Sequence, residues 1–254
     1  MKMKSPDESI NIKTTGADVS NPDNTGAIQA SIETAAGIGG GRVVVPPGEF
    51  RSGTLHLRDG VELHLAHGAV LRAIERSEAF PAITPAEPSR MDERATKAFL
   101  YAAHCRDVAV TGTGRIECGG AAFDFATGVG NDPRRPYGLH FVACEGVRVE
   151  DVTLRNAAFW MLRLFHCEHV RVRGATIFNH CNQNNDGLDL DGCWDAIVSD
   201  CLIDSSDDAL CVKSEGAREC RDVAATNCLL SSHASAVKLG TGSIGGFRRV
   251  TISN

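Results

Sequence analysis

Two adjacent carboxylates, Asp207 and Asp208, stand in the stretch SSDDALCVKS, directly before an alternating apolar run. Neighbouring like charges disfavour ionisation of both groups, so a position that keeps two acids indicates a use for them. The alternation of Leu210 and Val212 with other residues is typical of a strand with one buried face. The stretch therefore predicts a pair of acids held at the start of a buried strand.

A third carboxylate, Asp186, occupies the matching place in a related segment. Three segments share one pattern of small and apolar residues: NNDGLDLDG (184–192), SSDDALCVKS (205–214) and HASAVKLGT (233–241). Stacked as strands about 4.8 Å apart, they set Asp186 over Asp208 with Asp207 adjacent. Such crowding raises the pKa of at least one acid, so that one group keeps its proton while the others ionise.

This acid group has the composition that glycoside hydrolysis by inversion requires. One acid protonates the leaving oxygen, and a carboxylate base activates water, with roughly 6.5–9.5 Å between the two carboxyls. We expect side chains on neighbouring strands to supply that separation. Two alternatives stay open: Asp and Asn residues that only satisfy backbone groups in turns, and a calcium site.

A repeat marked by cysteine identifies the fold that must position these acids. The pattern C-x-x-V occurs at Cys144, Cys167 and Cys220, with Ala196 in place of valine in the copy at Cys193. Phe247 takes the place of cysteine in the next copy, and the spacings along these five copies are 23, 26, 27 and 27 residues. Each copy holds short alternating runs broken by polar turns, with no room for a helix of ordinary length. Self-similarity at this period predicts an all-β solenoid, specifically a right-handed parallel β-helix with one thiol per coil in an internal column. An earlier copy starts 39 residues before Cys144, with an insertion at about 119–140 between them.

The N-terminal part, residues 1–40, predicts a cap for this solenoid. Asp23 and Asn24 are candidate N-caps of a short helix with Ile28 and Ile32 on one face. We therefore expect a single β-helix domain over residues 1–254. The chain stops within a repeat, at RRVTISN, so we also expect further C-terminal coils that this sequence lacks.

Composition excludes several classes of function. The net charge of −6 disfavours a role in binding nucleic acid or membrane surfaces, and no stretch is long and apolar enough to span a membrane. The ten cysteines include no C-x-x-C pair, so we interpret them as small buried hydrophobes and expect neither a metal nor another cofactor. The N-terminus has no signal-peptide pattern. We therefore expect a monomer in the cytoplasm, or a secreted protein if the true N-terminus differs.

The motifs NNDG, DDALCVKS and GTGSIGG, in this order, resemble the successive active-site motifs of glycoside hydrolase family 28, the polygalacturonases and related pectin hydrolases. NTGAIQASIETA, GGGRVVVPPGEF, GTGRIECGG and RPYGLHFVACEGVRVEDVTLRNAAFW extend the resemblance through nearly the whole chain. The resemblance implies that Asp207 is the general acid and that Asp186 and Asp208 hold and activate the water. It also implies that Asn184 and Lys213 contact a pectic substrate.

The sequence departs from the family pattern in four places. Asn185 replaces a threonine, and Gly242 replaces a common glutamate. The family histidine belongs at Ala234 or Ser235, whereas His233 lies one or two residues earlier and is a candidate for reaching the cleft. An Arg-x-Lys motif expected in the following coil is absent from this chain.

The absent motif leaves open which groups would bind a uronate carboxylate, which needs cationic partners. Lys238 projects outward from its strand on the same side as Asp189. We include both residues, with Lys213, among the substrate-binding candidates.

Taken with the resemblance to family 28, the three carboxylates favour an inverting hydrolase of α-galacturonosyl linkages. A calcium-dependent pectate lyase and a non-catalytic carbohydrate-binding β-helix remain the alternatives.

Overall fold

The computed structural model describes residues 9–92, 95–122, 124–125 and 134–254. Its helices are α1 (Thr25–Gly37) and two 3-10 turns, Ile12–Thr15 and Ser77–Ala79. The strands, in chain order, are β1 (Ser9–Asn11), β2 (Gly41–Val45), β3 (Gly48–Ser52), β4 (Leu55–His56), β5 (Val61–Leu65), β6 (Ala69–Ala73), β7 (Lys97–Ala103), β8 (Ala109–Thr111), β9 (Arg115–Glu117), β10 (Pro136–Val142), β11 (Arg148–Glu150), β12 (Thr153–Arg155), β13 (Leu162–Phe165), β14 (Glu168–Arg173), β15 (Thr176–Asn179), β16 (Leu188–Asp191), β17 (Trp194–Ser199), β18 (Leu202–Ser205), β19 (Leu210–Ser214), β20 (Cys220–Thr226), β21 (Leu229–Ser232), β22 (Val237–Ser243) and β23 (Phe247–Ser253).

The strands form three parallel sheets along a solenoid. Sheet A runs β1-β2-β5-β8-β11-β14-β17-β20-β23, sheet B runs β3-β6-β9-β12-β15-β18-β21, and sheet C runs β4-β7-β10-β13-β16-β19-β22. Each complete coil gives one strand to each sheet, and successive coils pair in parallel. The predicted all-β, right-handed parallel β-helix is confirmed.

The cysteine repeat forms the predicted internal column. Cys144, Cys167, Cys193 and Cys220 are buried and carry free thiols. Each of the last three donates its S–H to a backbone carbonyl about one coil earlier in the chain, as from Cys193 Sγ to Leu164 O at 3.2 Å. Thiols suit the interior of the solenoid because they are small and apolar yet can donate a weak hydrogen bond.

Helix α1 covers the N-terminal end of the solenoid. Ile28 and Ile32 are fully buried against the first coils. Asn24 is the N-cap residue, but its side chain makes no capping bond; instead Asp23 Oδ1 accepts from Thr25 N at 2.8 Å. The helix is fixed to β4 through the side-chain amide of Gln29, which bonds both the N–H and the carbonyl of His56.

A non-repeating segment, residues 81–92, packs over the outer face of sheet C. We call it the cover segment. Its Met91 belongs to a second apolar cluster, outside the solenoid core, that includes Trp160 and Phe165. As a result, outward-facing side chains of sheet C are buried here, although such positions are normally exposed. The predicted insertion at about 119–140 falls partly outside the described residues, and its last part forms β10.

The final coil exposes apolar side chains that earlier coils bury. Val237 and Leu239 in β22 are 37% and 51% exposed, whereas Leu210 and Val212, which pair with them from β19, are fully buried. Within the described ranges, no helix has the length and apolar character needed to cross a membrane.

Candidate active site

The turns before β16 and β19 bring the three predicted carboxylates together. Leu188 pairs with Leu210 in the parallel register, and Gly187 N donates to Asp208 O at 2.8 Å. This places Asp186 directly against Asp208, as the aligned segments predict. One carboxylate oxygen from each of Asp186, Asp207 and Asp208 lies within 4.8 Å of the other two.

The turn that carries the acid pair is fixed by hydrogen bonds to its backbone. The hydroxyls of Ser205 and Ser232 both donate to the carbonyl of Asp207 at 2.6 Å, and Asp208 N donates to Asp207 Oδ1 at 3.0 Å. In the preceding coil, the buried amide of Asn185 donates to two backbone carbonyls at 2.8 and 2.9 Å. Both turns are therefore held rigidly, as precise placement of acids requires.

Lys213 is the buried cation of the site. It is 5% exposed, its ammonium donates to Asp186 Oδ2 at 3.2 Å and to Asp189 Oδ1, and it lies 3.5 Å from the ring centroid of Trp160. Burial alone would lower the pKa of Lys213, but the carboxylates of Asp189 and Asp186 outweigh it and raise the pKa. Lys213 therefore stays charged within the cluster.

The two carboxylates next to Lys213 are harder to ionise than ordinary aspartates. Burial raises the pKa of Asp186 well above its usual value, and the charge of Asp189 adds to this effect, whereas Lys213 opposes it. Burial likewise raises the pKa of Asp189. Desolvation is therefore the larger cause of the raised pKa of Asp186, and crowding by Asp189 is the smaller one.

Lys238, from β22, is the second cation of the site. Its ammonium donates to Asp208 Oδ2 at 2.7 Å, and its side chain is 35% exposed. The hydrogen bond to Asp208 raises the pKa of Lys238. Among the described residues, no group reaches the other oxygen of Asp208 or Oδ1 of Asp186. These two buried oxygens are therefore unsatisfied acceptors on residues that line the cleft described next.

A cleft of about 150 Å³ opens above the acids. Eleven residues line it: Met91, Trp160, Asn184, Asp186, Asp207, Asp208, Lys213, Glu215, Lys238, Thr241 and Gly242. Asn184 has a left-handed backbone (φ 53°), which asparagine tolerates better than most residues. Its Oδ1 accepts from the buried guanidinium of Arg135 at 3.1 Å, and this hydrogen bond fixes the orientation of the Asn184 side-chain amide.

Two of the substrate-binding candidates lie away from this cleft. Asp189 is completely buried beneath Lys213, where it can orient the ammonium but meets no open space. His233 is exposed, and its ring packs 4.9 Å from His180, beside the Asp204 carboxylate that His180 contacts. Asn184, Lys213 and Lys238 do line the cleft, and their roles in binding stay predictions.

The separation of the acid and base carboxyls stays a prediction. One oxygen from each of the three carboxylates lies within 4.8 Å of the other two, whereas the roughly 6.5–9.5 Å of inverting enzymes is the distance between whole carboxyl groups. Asp186 and Asp208, the pair assigned to the water, stack in register, and each is bonded to a lysine. Oxygens 4.8 Å apart can still share one water, since each hydrogen bond spans about 2.7 Å.

The same three acids are the described side chains close enough to share a metal ion. Lys213 and Lys238 already place ammonium groups on Asp186 and Asp208. This charge balance fits water and hydroxyl ligands better than a divalent cation.

Sequence reasoning missed a second buried ion network, centred on Arg163. This residue is 1% exposed and donates to Asp191 Oδ2 at 3.1 Å, to Glu215 Oε2 at 3.4 Å and to Ser89 Oγ at 2.6 Å. Burial raises the pKa of Glu215, with a further contribution from Asp191. The alternation in MLRLF predicts that Arg163 points outward from sheet C. Nothing in the repeat indicates that the cover segment packs over this outer face.

Glu215 also explains one departure from the family pattern. A Cβ placed on Gly242 would lie 2.5 Å from Glu215 Cγ and 3.1 Å from its Cα. A glutamate at position 242 therefore cannot fit beside Glu215 without displacing it. In this chain the carboxylate at that side of the cleft belongs to Glu215, directly after β19, and not to the GTGS segment of β22.

Comparison with known proteins identifies the family. The family model described as glycosyl hydrolases family 28 matches residues 42–253, and the chain belongs to this family. A probable polygalacturonase from Vitis vinifera is 28% identical over 202 residues, which cover 75% of this chain and 41% of that protein.

Solved structures share the fold. A hyperthermoactive exopolygalacturonase from Thermotoga maritima has a TM-score of 0.86 at 24% identity, covering 99% of this chain and 66% of that one. A polygalacturonase from Erwinia carotovora has a TM-score of 0.79 at 19% identity, covering 98% and 69%. The chain thus spans under half of the curated relative and about two thirds of the solved structures.

Proposed function

We propose that this chain is an inverting glycoside hydrolase that cleaves α-galacturonosyl linkages in pectic poly- and oligosaccharides. The observation that carries the proposal is the group of three carboxylates, Asp186, Asp207 and Asp208, gathered on one face with two lysines. Membership of family 28 supports the reaction class. A pectic substrate is the one named for the curated relative, a probable polygalacturonase.

In the proposed mechanism, Asp207 protonates the leaving glycosidic oxygen, and Asp186 with Asp208 binds and activates the attacking water. In this proposal the Oδ1 atoms of Asp186 and Asp208, which have no hydrogen-bond partner among the described residues, accept its two protons as hydrogen bonds. The water adds to the anomeric carbon as the bond to the leaving oxygen breaks. One proton passes from water to the carboxylate base, and Asp207 supplies one to the leaving group.

Lys213 and Lys238 share one task in this proposal, and Lys238 has a second. Each neutralises part of the charge on an aspartate, which keeps the acids within reach of one another. Lys238 is about one third exposed, so its remaining N–H groups can also bind a substrate carboxylate. Replacing Lys238 with Ala should raise the KM for an oligogalacturonide, and an unchanged KM would exclude this second task.

Product analysis tests the reaction class. Incubation with polygalacturonate should release saturated reducing ends, with no rise in ultraviolet absorbance and no loss of activity in chelator. Proton NMR of the first product should show the β-anomer, because inversion reverses the α configuration. Unsaturated ends with chelator sensitivity would instead identify a lyase, and binding without product would identify a carbohydrate-binding β-helix. Monomeric state and cytoplasmic location stay predictions.

A further inference from the structure

A second cavity adjoins the catalytic cleft, on the side of the cover segment. Its volume is about 290 Å³, and it is lined by Pro88, Ser89, Arg90, Phe165, Glu215 and Gly216. Glu215 lines both spaces, and Met91, the neighbour of Arg90, lines the catalytic cleft. The two spaces therefore share one wall, so an oligosaccharide that extends beyond the cleft on this side can reach both.

Arg90 differs from the other cations of this region in having no acid partner. Lys213 is paired with Asp186 and Asp189, Lys238 with Asp208, and the buried Arg163 with Asp191 and Glu215. Arg90 is exposed at the cavity wall, and no carboxylate of the described residues forms an ion pair with it. The N–H donors of its planar guanidinium group are suited to bidentate hydrogen bonding with a carboxylate.

The rest of the cavity suits a sugar ring. Pro88 and Phe165 provide apolar surface for the face of a pyranose. Ser89 Oγ and Glu215 Oε2 are bonded to Arg163, which partly neutralises the acid. In the described part of the chain Glu215 Oε1 has no hydrogen-bond partner, so it can accept from a sugar hydroxyl.

We propose that this second cavity, lined by residues 88–90 and 215–216 with Phe165, binds a uronate residue of the same oligosaccharide, whose carboxylate is held by Arg90. The inference rests on the proposed function for its substrate class. It assigns acid recognition to the cover segment, a part of the chain outside the repeat. Methyl esterification of that uronate removes the negative charge and should weaken binding.

The test compares trigalacturonate with its methyl ester as ligands. Calorimetry uses the Asp207→Asn background so that no ligand is consumed, and steady-state kinetics uses the otherwise unchanged chain. Arg90→Gln should weaken trigalacturonate binding about tenfold, the loss of one charge-assisted contact, and raise KM similarly with little change in kcat. Affinity for the ester should hardly change, and Arg90→Lys should restore part of the preference for the acid. The control is Arg106→Gln, which removes the same charge from a side chain that is 77% exposed and lines neither cavity.

The outcomes separate this inference from the proposed function. If Arg90→Gln still forms product and its ratio of affinities for trigalacturonate and the methyl ester is unchanged, the inference is overturned and the proposed function stands. Arg90-dependent binding without product from the unchanged chain supports the inference and overturns the hydrolase function. Absence of trigalacturonate binding overturns both.

Discussion

Replacing Lys213 with Met tests whether one buried ammonium holds the acid group together. Met preserves most of the side-chain volume and its contact with Trp160, but it removes the charge. Asp186 and Asp189, which are 3% and 0% exposed, then lose the hydrogen bonds from Nζ. Breaking a buried ion pair from one side costs about 3–5 kcal/mol. Since both acids can escape part of this cost by taking up protons, we expect a loss near the lower limit at neutral pH.

The loss should depend on pH with a definite sign. Lys213 lowers the pKa of both acids, so its removal raises those values further. A carboxyl whose pKa is raised by folding favours the folded state at low pH, and this contribution disappears as pH rises through the folded-state pKa. The difference in unfolding free energy between the wild-type chain and Lys213→Met should therefore grow as pH rises through the raised pKa values of Asp186 and Asp189. Urea denaturation from about pH 5 to pH 8 measures this difference.

Two further variants complete the experiment. Adding Asp189→Asn to Lys213→Met removes one of the two uncompensated acids and should recover about 1–2 kcal/mol at neutral pH. Lys13→Met, at an exposed position, serves as the control for loss of a lysine charge. A cost of less than about 1 kcal/mol for Lys213→Met at neutral pH, or the same cost across the pH range, would show that the Lys213 ammonium does not hold the acid group together.

Three other changes give separate checks. Asp189→Asn removes a charge that raises the pKa of Asp186, so the acidic limb of the kcat/KM profile should move to lower pH. Lys238→Gln leaves Asp208, 2% exposed, without its ammonium; we expect a loss of about 1–2 kcal/mol in unfolding free energy, reduced because Lys238 is one third exposed. Leu210→Ala removes a fully buried side chain next to the acid turn and should cost about 2–5 kcal/mol by denaturant unfolding.

Each of these checks has a contrary result. An acidic limb that stays in place in Asp189→Asn would mean that Asp186 does not control it. Equal unfolding free energies of Lys238→Gln and the unchanged chain would mean that solvent replaces the ammonium in stabilising the Asp208 carboxylate. Leu229→Ala, at a side chain that is 68% exposed, is the control for Leu210 and should change stability by less than about 0.5 kcal/mol.

The repeat made the fold and the acid group predictable. In a parallel solenoid each residue stacks on its counterpart one coil away, so aligning segments in the sequence is equivalent to placing them in space. This is why the pairing of Asp186 with Asp208, and of Asp189 with Cys211 and Cys211 with Lys238, followed from the sequence. The column of cysteines followed for the same reason.

Residues outside the repeat were not predictable in this way. Alternation correctly placed Asp189 on the outer face of sheet C, but an outer position is accessible only if nothing covers it. The cover segment is distant in sequence and docks through contacts such as Ser89 with Arg163, which no periodicity reveals. Glu215 was missed because it follows the end of β19, and its place in the cleft depends on the small size of Gly242.

The most direct test measures pectic hydrolysis by variants that each lack one of the three carboxylates. Reducing ends and their anomeric form are recorded for the chain and for Asp186→Asn, Asp207→Asn and Asp208→Asn, with Asp204→Asn, outside the cleft, as the control. We predict saturated products from the chain and the control. Each of the three site variants should lose about 10²–10⁴-fold in kcat, at preserved folding by circular dichroism. Full activity in Asp207→Asn, or no product from the chain with any pectic polymer, would contradict the account.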